Sequence, residues 1–376
     1  MIEKPTLQDI AKMTGVTPAT VHKALNNLKG VSEKKKKEIL SVAAALNYTV
    51  SKTIAAPKRT VVALFPAPIG EDKIFYQFIW SGLERREEEL PKDSLRIIKI
   101  TFNGTVSDQI EKMEQIYSLY KDHINGLMTV IWDEDRTIPL IRKYTEAGIR
   151  VYTVASDAPH SERVSSMMVD PLRTGKLAAE YMGSVLSDFC RVIVIGTKRD
   201  ALNHASIVRG FFDQMSITNP KIQIIEIYES KEYPERLLDS LNEFLTKFDD
   251  IKGIYANNAR TTARLIEAYK GRARKILFLG SELFSDSMKA VEDGVIQAVV
   301  DQNAFKMAYD SVTNIYNNLV LGREIPEINH IPCSLYLRNN LPEEYPEKGI
   351  EELLPRLDKE FQYDTEDIDS LLKKED

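Results

Sequence analysis

Along the short helical pattern at residues 18–26 the outward positions hold Ala19, Thr20, His22, Lys23 and Asn26, while Val21, Ala24 and Leu25 turn inward. A hydroxyl, an imidazole, an ammonium and a carboxamide so spaced offer hydrogen bonds and a fixed positive charge, which is the chemistry of binding rather than of bond making. Lys34 to Lys37 extend the basic character a few residues further on. Groups that would do covalent chemistry are not arranged for it. The five histidines are scattered, and there is no Gly-x-x-x-x-Gly-Lys loop, no His-Glu-x-x-His and no Gly-x-Ser-x-Gly. Cys190 and Cys333 stand apart, with neither a disulfide framework nor a zinc-ligand spacing, and read as core residues of a reduced protein. No enzymatic activity, cofactor or metal is expected.

Charge is unevenly distributed. The 376-residue chain has a net charge of −6, yet residues 1–60 hold eleven Lys and Arg against four Asp and Glu, leaving 39 against 52 beyond them. A head of +7 on a body of −13 suits a module that binds a polyanion, because phosphate neutralisation supplies the sequence-independent part of nucleic-acid affinity. A solvated charged helix would give the same asymmetry. No run approaches the roughly 18–20 apolar residues of a membrane helix, and residues 1–12 are charged where an export signal needs an apolar stretch. A cytoplasmic protein with no membrane partner is expected.

Three short helices must position the outward groups. Thr6 is a good cap for an apolar run through Leu7, Ile10, Ala11 and Met13, which Gly15 can end in a left-handed turn. Thr17 caps a second helix with Pro18 in its first position, and Ser32 opens a third whose Ile39, Leu40, Val42, Ala43 and Leu46 face inward. From Thr60 the pattern changes to β-rich runs alternating with amphipathic helices, at residues 60–65, 95–101, 126–131, 150–155, 191–196, 223–228, 253–257, 275–280 and 296–300. That alternation predicts parallel, doubly wound α/β sheets, and about 240 residues suit two similar lobes with a changeover at 169–175. Ligands of open α/β sheets sit at the carboxyl ends of strands, so facing lobes would make a cleft lined by those loops. The tail from Pro342 to Asp376 is acidic, contains three prolines and is expected to pack loosely or to be partly disordered.

The run TLQDIAKMTGVTPATVHKALNN, followed by GVSEKKKKEILSVAAALNY, resembles the helix-turn-helix head of the lac repressor family of bacterial regulators over residues 1–50. The resemblance implies that the second helix enters the major groove of double-stranded DNA while the first crosses the backbone. Pro18, Ala19 and His22 fall at its base-reading positions. Pro18 and Ala19 offer only apolar contact, so reading would lean on His22 and Lys23. Thr6, Thr17, Thr20, Asn26 and the early lysines of the third helix are candidates for phosphate contact, with a plain cap or solvated face as the alternative. The linker, residues 51–59, departs from the family: it is shorter, and Pro57 forbids a helix through it. Ile54 could act as the apolar wedge that the family inserts into the minor groove, or the linker could be an ordinary tether.

Residues 60–340 resemble the family's effector domain, whose two-lobed fold is shared with periplasmic sugar-binding proteins, through VDPLRTG at 169–175, GFF at 210–212, YANN at 255–258, FLGSE at 278–282 and VVDQN at 299–303. The implied N-lobe is about 60–170 with 301–322, the C-lobe about 171–300 with 323–340, and 341–376 is an acidic extension. A sugar needs aromatic faces for its ring and carboxylate, amide or guanidinium groups for its hydroxyls. By strand-end position these are Phe75, Tyr76, Trp132, Asp133, Asp157, Asn257, Asn258, Glu282 and Gln302, although Phe75 could be core and Asp157, Asn257 or Asn258 could serve turns and caps. Two departures stand out: Ile207 replaces the family's sugar-clamping arginine, and Glu282 replaces its Asp. The expected effector is a sugar or, given those departures, a sugar phosphate or acid held by Lys198, Arg199 or His204, or else a partner protein. The implied mechanism is a homodimer, or a higher oligomer, that presents two heads to a pseudo-palindromic operator as a repressor, with operator binding controlled by a carbohydrate effector. The alternatives are a regulator with a degenerate or protein-responsive body, and a sugar-binding transport protein, which would have no use for a basic head.

Overall fold

Thr6 and Asp9 close a capping box at the start of α1 (Leu7–Thr14): the Thr6 hydroxyl accepts from the Asp9 N–H, and the Asp9 carboxylate accepts from the Thr6 N–H at 2.7 Å. Those hydrogen bonds from Thr6 hold the Asp9 carboxyl below its ordinary range. Gly15, at φ 65°, ends the helix by donating its N–H to the Ala11 carbonyl. The Thr17 hydroxyl accepts from the Thr20 N–H at 3.2 Å to open α2 (Pro18–Leu25), and Ser32 caps α3 (Glu33–Ala45) through Lys35. Ile10, Ala11, Val21, Ala24, Ile39 and Ala43 make the head's core. Met13 and Leu40, read from the sequence as inward, are instead 62% and 41% exposed. A short helix shows a three-helix core only a narrow stripe, and on α1 the buried Thr14, whose hydroxyl bonds back to the Ile10 carbonyl, takes the place expected of Met13.

The computed structural model describes residues 6–25, 30–46, 59–70, 73–186, 189–196, 202–228, 235–269, 276–343 and 349–358. The chain divides into two units, residues 1–56 and 57–376. The second unit contains two sheets built alike. The first lobe runs β1 (Arg59–Pro66), α4 (Lys73–Glu89), β2 (Leu95–Phe102), α5 (Val106–Tyr120), β3 (Gly126–Thr129), α6 (Glu134–Glu146), β4 (Arg150–Val154) and β5 (Ser165–Val169). Asp170 caps α7 (Pro171–Val185), which starts the second lobe: β6 (Arg191–Gly196), α8 (Leu202–Thr218), β7 (Gln223–Tyr228), α9 (Glu235–Lys247), β8 (Ile251–Ala256), α10 (Ala259–Tyr269), β9 (Leu277–Ser281), α11 (Ser285–Glu292) and β10 (Ala298–Asp301). A second crossing leads into α12 (Ala304–Ile315), which packs on α4 and runs into a π-helical turn at Tyr316–Val320. β11 (Ile328–Ile331) then joins the first sheet and β12 (Ser334–Tyr336) the second. The strand orders are β11-β5-β4-β3-β1-β2 and β12-β10-β9-β8-β6-β7, parallel throughout except for β12 against β10.

Each of the nine β-rich runs coincides with a strand; β5, β11 and β12 were not legible. The expectation that 323–340 belongs to the second lobe is corrected: β11 pairs with β5 in the first sheet, and the chain crosses a third time at Pro332–Cys333. Asp301, placed by the sequence in the first lobe, ends β10 of the second. One part of the tail is corrected as well. Residues 349–358, through α13 (Ile350–Leu353), dock on the first lobe, with Leu353 and Leu357 buried and Arg356 bonded to Glu84 and Glu88 of α4, while 344–348 and 359–376 lie outside the described residues. The Asp358 N–H donates to the Lys99 carbonyl at 2.9 Å, and its carboxylate accepts from the Thr101 N–H at 2.7 Å, so the segment covers the edge strand β2. Among the described residues no helix is long and apolar enough to cross a membrane.

Candidate functional site

In the head, α2 begins with no acidic residue in its first turn, so the partial positive charge of its N-terminus is uncompensated by its own sequence. Thr6, Thr17, Pro18 and Lys23 are exposed, and the half-buried Thr20 shares a 2.9 Å hydroxyl contact with Thr17. Lys34 and Lys37 of α3 are exposed, whereas Lys35 is engaged by Glu38 at 3.0 Å. The backbone carries Ala19 and His22 on α2; their side chains, together with Asn26 and Ile54, lie outside the described residues.

In the body the carboxyl ends of the two sheets meet. The Asn203 carboxamide, at the start of α8, donates across the lobes to the Ala155 carbonyl just after β4, at 2.6 Å, and α10 touches α4. Along the first lobe's strand ends stands a wall of rings. Phe75 and Tyr76 begin α4 and meet edge to face at 5.4 Å between centroids; Trp132, after β3, donates its indole N–H to the Tyr76 hydroxyl at 3.0 Å. Phe102, at the end of β2, packs edge-on to Trp132 at 5.0 Å. Phe75 and Trp132 are half-buried and Tyr76 is buried.

Asp133 and Asp157, expected beside these rings, are both occupied within their own lobe. Asp133 caps α6 by accepting from the Arg136 N–H at 2.9 Å. Asp157 accepts from the Arg163 guanidinium, the Ala158 N–H and the Thr153 hydroxyl. Burial alone would raise its carboxyl, but the hydrogen bonds and charge of Arg163 outweigh it and hold the group below its ordinary range.

The second lobe's strand ends bring the predicted amides and carboxylate together. Asn258 caps α10 through the Thr261 N–H at 2.9 Å, and its amide donates to Asn257 Oδ1 at 3.2 Å. Asn257 is fully buried, and its Nδ2 has no hydrogen-bond partner. A buried donor left unpaired costs about 1–3 kcal/mol, which an acceptor on a bound molecule would relieve. Glu282, 2% exposed, accepts from both the backbone and the side chain of Gln302. Burial, then the charge of Asp301, push its carboxyl well above the usual carboxylate range.

Ile207 is buried on α8, and Arg209 is 76% exposed and paired with Asp213, so Arg209 does not stand in for a cleft arginine. Lys198 and Arg199 lie outside the described residues, and His204 is on α8. Sequence reasoning missed Phe102, Asp301 and Asn203. Phe102 and Asp301 end strands, the same positional signal that selected Trp132 and Gln302, and each stands one residue past the β-rich run read from the sequence.

Residues 6–51 match the family described as bacterial regulatory proteins, lacI family, and residues 62–324 match the periplasmic binding protein domain. The ribose import binding protein RbsB of Haemophilus influenzae is 22% identical over 268 residues, 71% of this chain and 88% of that protein. The HTH-type transcriptional regulator DegA of Bacillus subtilis is 22% identical over 244 residues, covering 63% of this chain and 70% of its own. Among solved structures, GanP, a glucose-galactose binding protein from Geobacillus stearothermophilus, has a TM-score of 0.65 at 22% identity, over 76% of this chain and 99% of that one. That last likeness is one of fold.

Proposed function

Because the chain belongs to the lacI family of bacterial regulatory proteins by its head and to the periplasmic binding protein domain family by its body, we propose that its operator binding is controlled by an uncharged sugar held between the lobes. The protein is a DNA-binding transcription regulator with a sugar-binding-type body. The observation that carries the effector reading is the pairing of a ring wall, Phe75, Tyr76, Phe102 and Trp132, with a polar set across the strand ends that includes the unpartnered Asn257 amide. Rings cover the apolar face of a sugar, and amides exchange hydrogen bonds with its hydroxyls. A neutral sugar is favoured over a phosphate or acid: Ile207 supplies no charge and Arg209 is turned to solvent.

In this reading His22 and Lys23 read bases, Pro18 and Ala19 give apolar contact, and Thr6, Thr17, Thr20 and Asn26 approach phosphates, with Ile54 as the wedge if the linker enters the minor groove. Two subunits pair to present two such helices to a pseudo-palindromic site, and the protein acts as a repressor in the cytoplasm, where its DNA is. The test is selection of genomic fragments by the purified protein, with and without a panel of sugars and sugar phosphates. A palindromic site gained or lost with one neutral sugar supports the reading. Response to a phosphorylated sugar alone would overturn the neutral assignment, and a site unaffected by every compound would favour a protein-responsive body.

A further inference from the structure

Residues 349–358 reach the ring wall from behind. Leu353 of α13 and Leu357 are buried in the same apolar core as Phe102, which seats the segment on the outer side of the first lobe. Asp358 then meets the free edge of β2. On an edge strand alternate backbone groups point away from the sheet, and β2 pairs with β1 on its other side. Asp358 satisfies two of those outward groups. Its N–H donates to the Lys99 carbonyl at 2.9 Å, and its carboxylate accepts from the Thr101 N–H at 2.7 Å and from the Thr101 hydroxyl. One residue thus takes the place of a neighbouring strand. Asp358 stands at φ 56°, in the left-handed region that Asp and Asn enter more readily than other side-chain-bearing residues.

The residue after Thr101 is Phe102, the end of β2. Its carbonyl accepts from the Ala67 N–H at 3.0 Å, so the strand end is held on the inner side by Ala67 and on the outer side, one residue earlier, by Asp358. The Phe102 ring is 1% exposed and lies edge-on to the half-buried Trp132 at 5.0 Å, so it backs the indole. Gly104, at φ 75°, carries the chain past the same indole, where a Cβ would stand 3.7 Å from it. Trp132 is therefore supported from the β2 end by Phe102 and Gly104, and from α4 by the Tyr76 hydroxyl that accepts its N–H at 3.0 Å.

We propose that this C-terminal strap is part of the effector machinery: Asp358 holds the end of β2 and, through Thr101 and Phe102, sets the face that Trp132 turns to a sugar. Asp358 is a positioning residue, and its effect on affinity rests on the cleft being the sugar site. Without the carboxylate the Thr101 N–H and hydroxyl turn to water, and the end of an edge strand opens at little cost. A sugar then finds its stacking face in place in a smaller fraction of molecules, and its apparent Kd rises by the inverse of that fraction. A segment serving stability alone would lower the melting temperature and leave affinity unchanged.

The test compares Asp358→Gly and Asp358→Asn with wild type in the full-length protein. Glycine accepts φ 56° and keeps the N–H that bonds Lys99, so it removes the carboxylate alone. Asparagine keeps an oxygen for the Thr101 N–H, and the Thr101 hydroxyl can accept from its amide. Two readouts need no ligand: acrylamide quenching of Trp132, since the other tryptophan, Trp80, is fully buried, and amide exchange at Ala67. The third is calorimetric titration of D-ribose, D-glucose and D-galactose. In Asp358→Gly quenching should increase, Ala67 should exchange roughly tenfold faster, and the Kd of whichever sugar binds should rise about five- to tenfold, with Asp358→Asn close to wild type in all three. A glycine variant that matches wild type in quenching or in affinity overturns the proposal, even if its melting temperature falls. Equal losses in both variants also overturn it, because charge and not the bonded position would then be the cause. Should the glycine variant not fold, Thr101→Val, which deletes the hydroxyl bond from a side chain of the same shape, must show the same changes at smaller size; no change there refutes the proposal. If none of the three sugars binds while quenching and exchange still differ, the sugar reading loses its support and the positioning of Trp132 by Asp358 stands.

Discussion

Arg163 is buried at its side chain between Asp157, with which it makes two hydrogen bonds, and Glu327, at 3.0 Å. It ties the loop after β4 to the segments that enter β5 and β11, and so fixes the edge of the first sheet. Removing one partner of a buried pair strands the other's charge, which costs about 3–5 kcal/mol. Arg163→Ala should therefore destabilise the protein by about 3 kcal/mol at neutral pH in urea unfolding. The sign with pH follows from Asp157, whose carboxyl is depressed in the fold: the pair's contribution is present above the unfolded value of about 3.9 and lost as pH falls through the folded one. The gap between variant and wild type should close in acid, and a gap that persists there would mean the arginine acts by packing alone. At the head, His22→Ala should weaken specific operator binding by about 1–3 kcal/mol while sparing non-specific DNA. Equal losses on both would remove His22 from base reading.

Helix pairs set the distance between each sheet and its covering layer. A Cβ on Gly175 of α7 would stand 1.8 Å from the Ile207 carbonyl oxygen of α8, and one on Gly210 of α8 would stand 2.1 Å from the Leu172 carbonyl of α7. The two helices touch backbone to backbone, so Gly175→Ala must force them apart and should cost about 3 kcal/mol, seen as a lower denaturant midpoint. An unchanged midpoint would mean the pair slides freely. This packing also explains why the VDPLRTG and GFF echoes were legible: they record a close approach, not a ligand contact. Long, apolar, regularly spaced strands such as β1 and β6 announce themselves in the same way. β11 and β12, four and three residues long with Asn329 and His330 among them, do not, because their partners lie some 160 and 35 residues away in the chain and only the assembled sheet selects them. The site shows the same divide. Strand-end position found Trp132, Asn257 and Gln302, but it could not show that Asp133 and Asp157 would be taken up by a helix cap and an arginine. The tail beyond 341 looked loose by composition, yet Leu353 and Leu357 are buried and Asp358 bonds the β2 edge. Truncation after Leu341 should thus lower the melting temperature and promote aggregation through the bared strand; a truncated protein as stable and soluble as the full chain would make this contact incidental.

For the whole molecule, charge and linkage bind the two units into one mechanism. The head's +7 draws it to DNA and the body's −13 opposes non-specific wrapping, so the strength of operator binding must come from the heads. A sugar in the cleft can alter that binding only by favouring one lobe arrangement over another, by its difference in affinity between DNA-competent and DNA-incompetent forms. Such coupling is reciprocal: if a sugar weakens operator affinity by some factor, saturating operator must weaken sugar affinity by the same factor per coupled site, and typical couplings lie at about 5–150-fold. Two calorimetric titrations, sugar into free protein and sugar into the protein–operator complex, measure one side of this equality, and operator binding with and without sugar measures the other. Equal factors are expected. A sugar that changed operator affinity while binding equally well to the free and DNA-bound protein would violate the linkage, and would mean that it acts on the assembly of subunits or on the DNA rather than through the cleft.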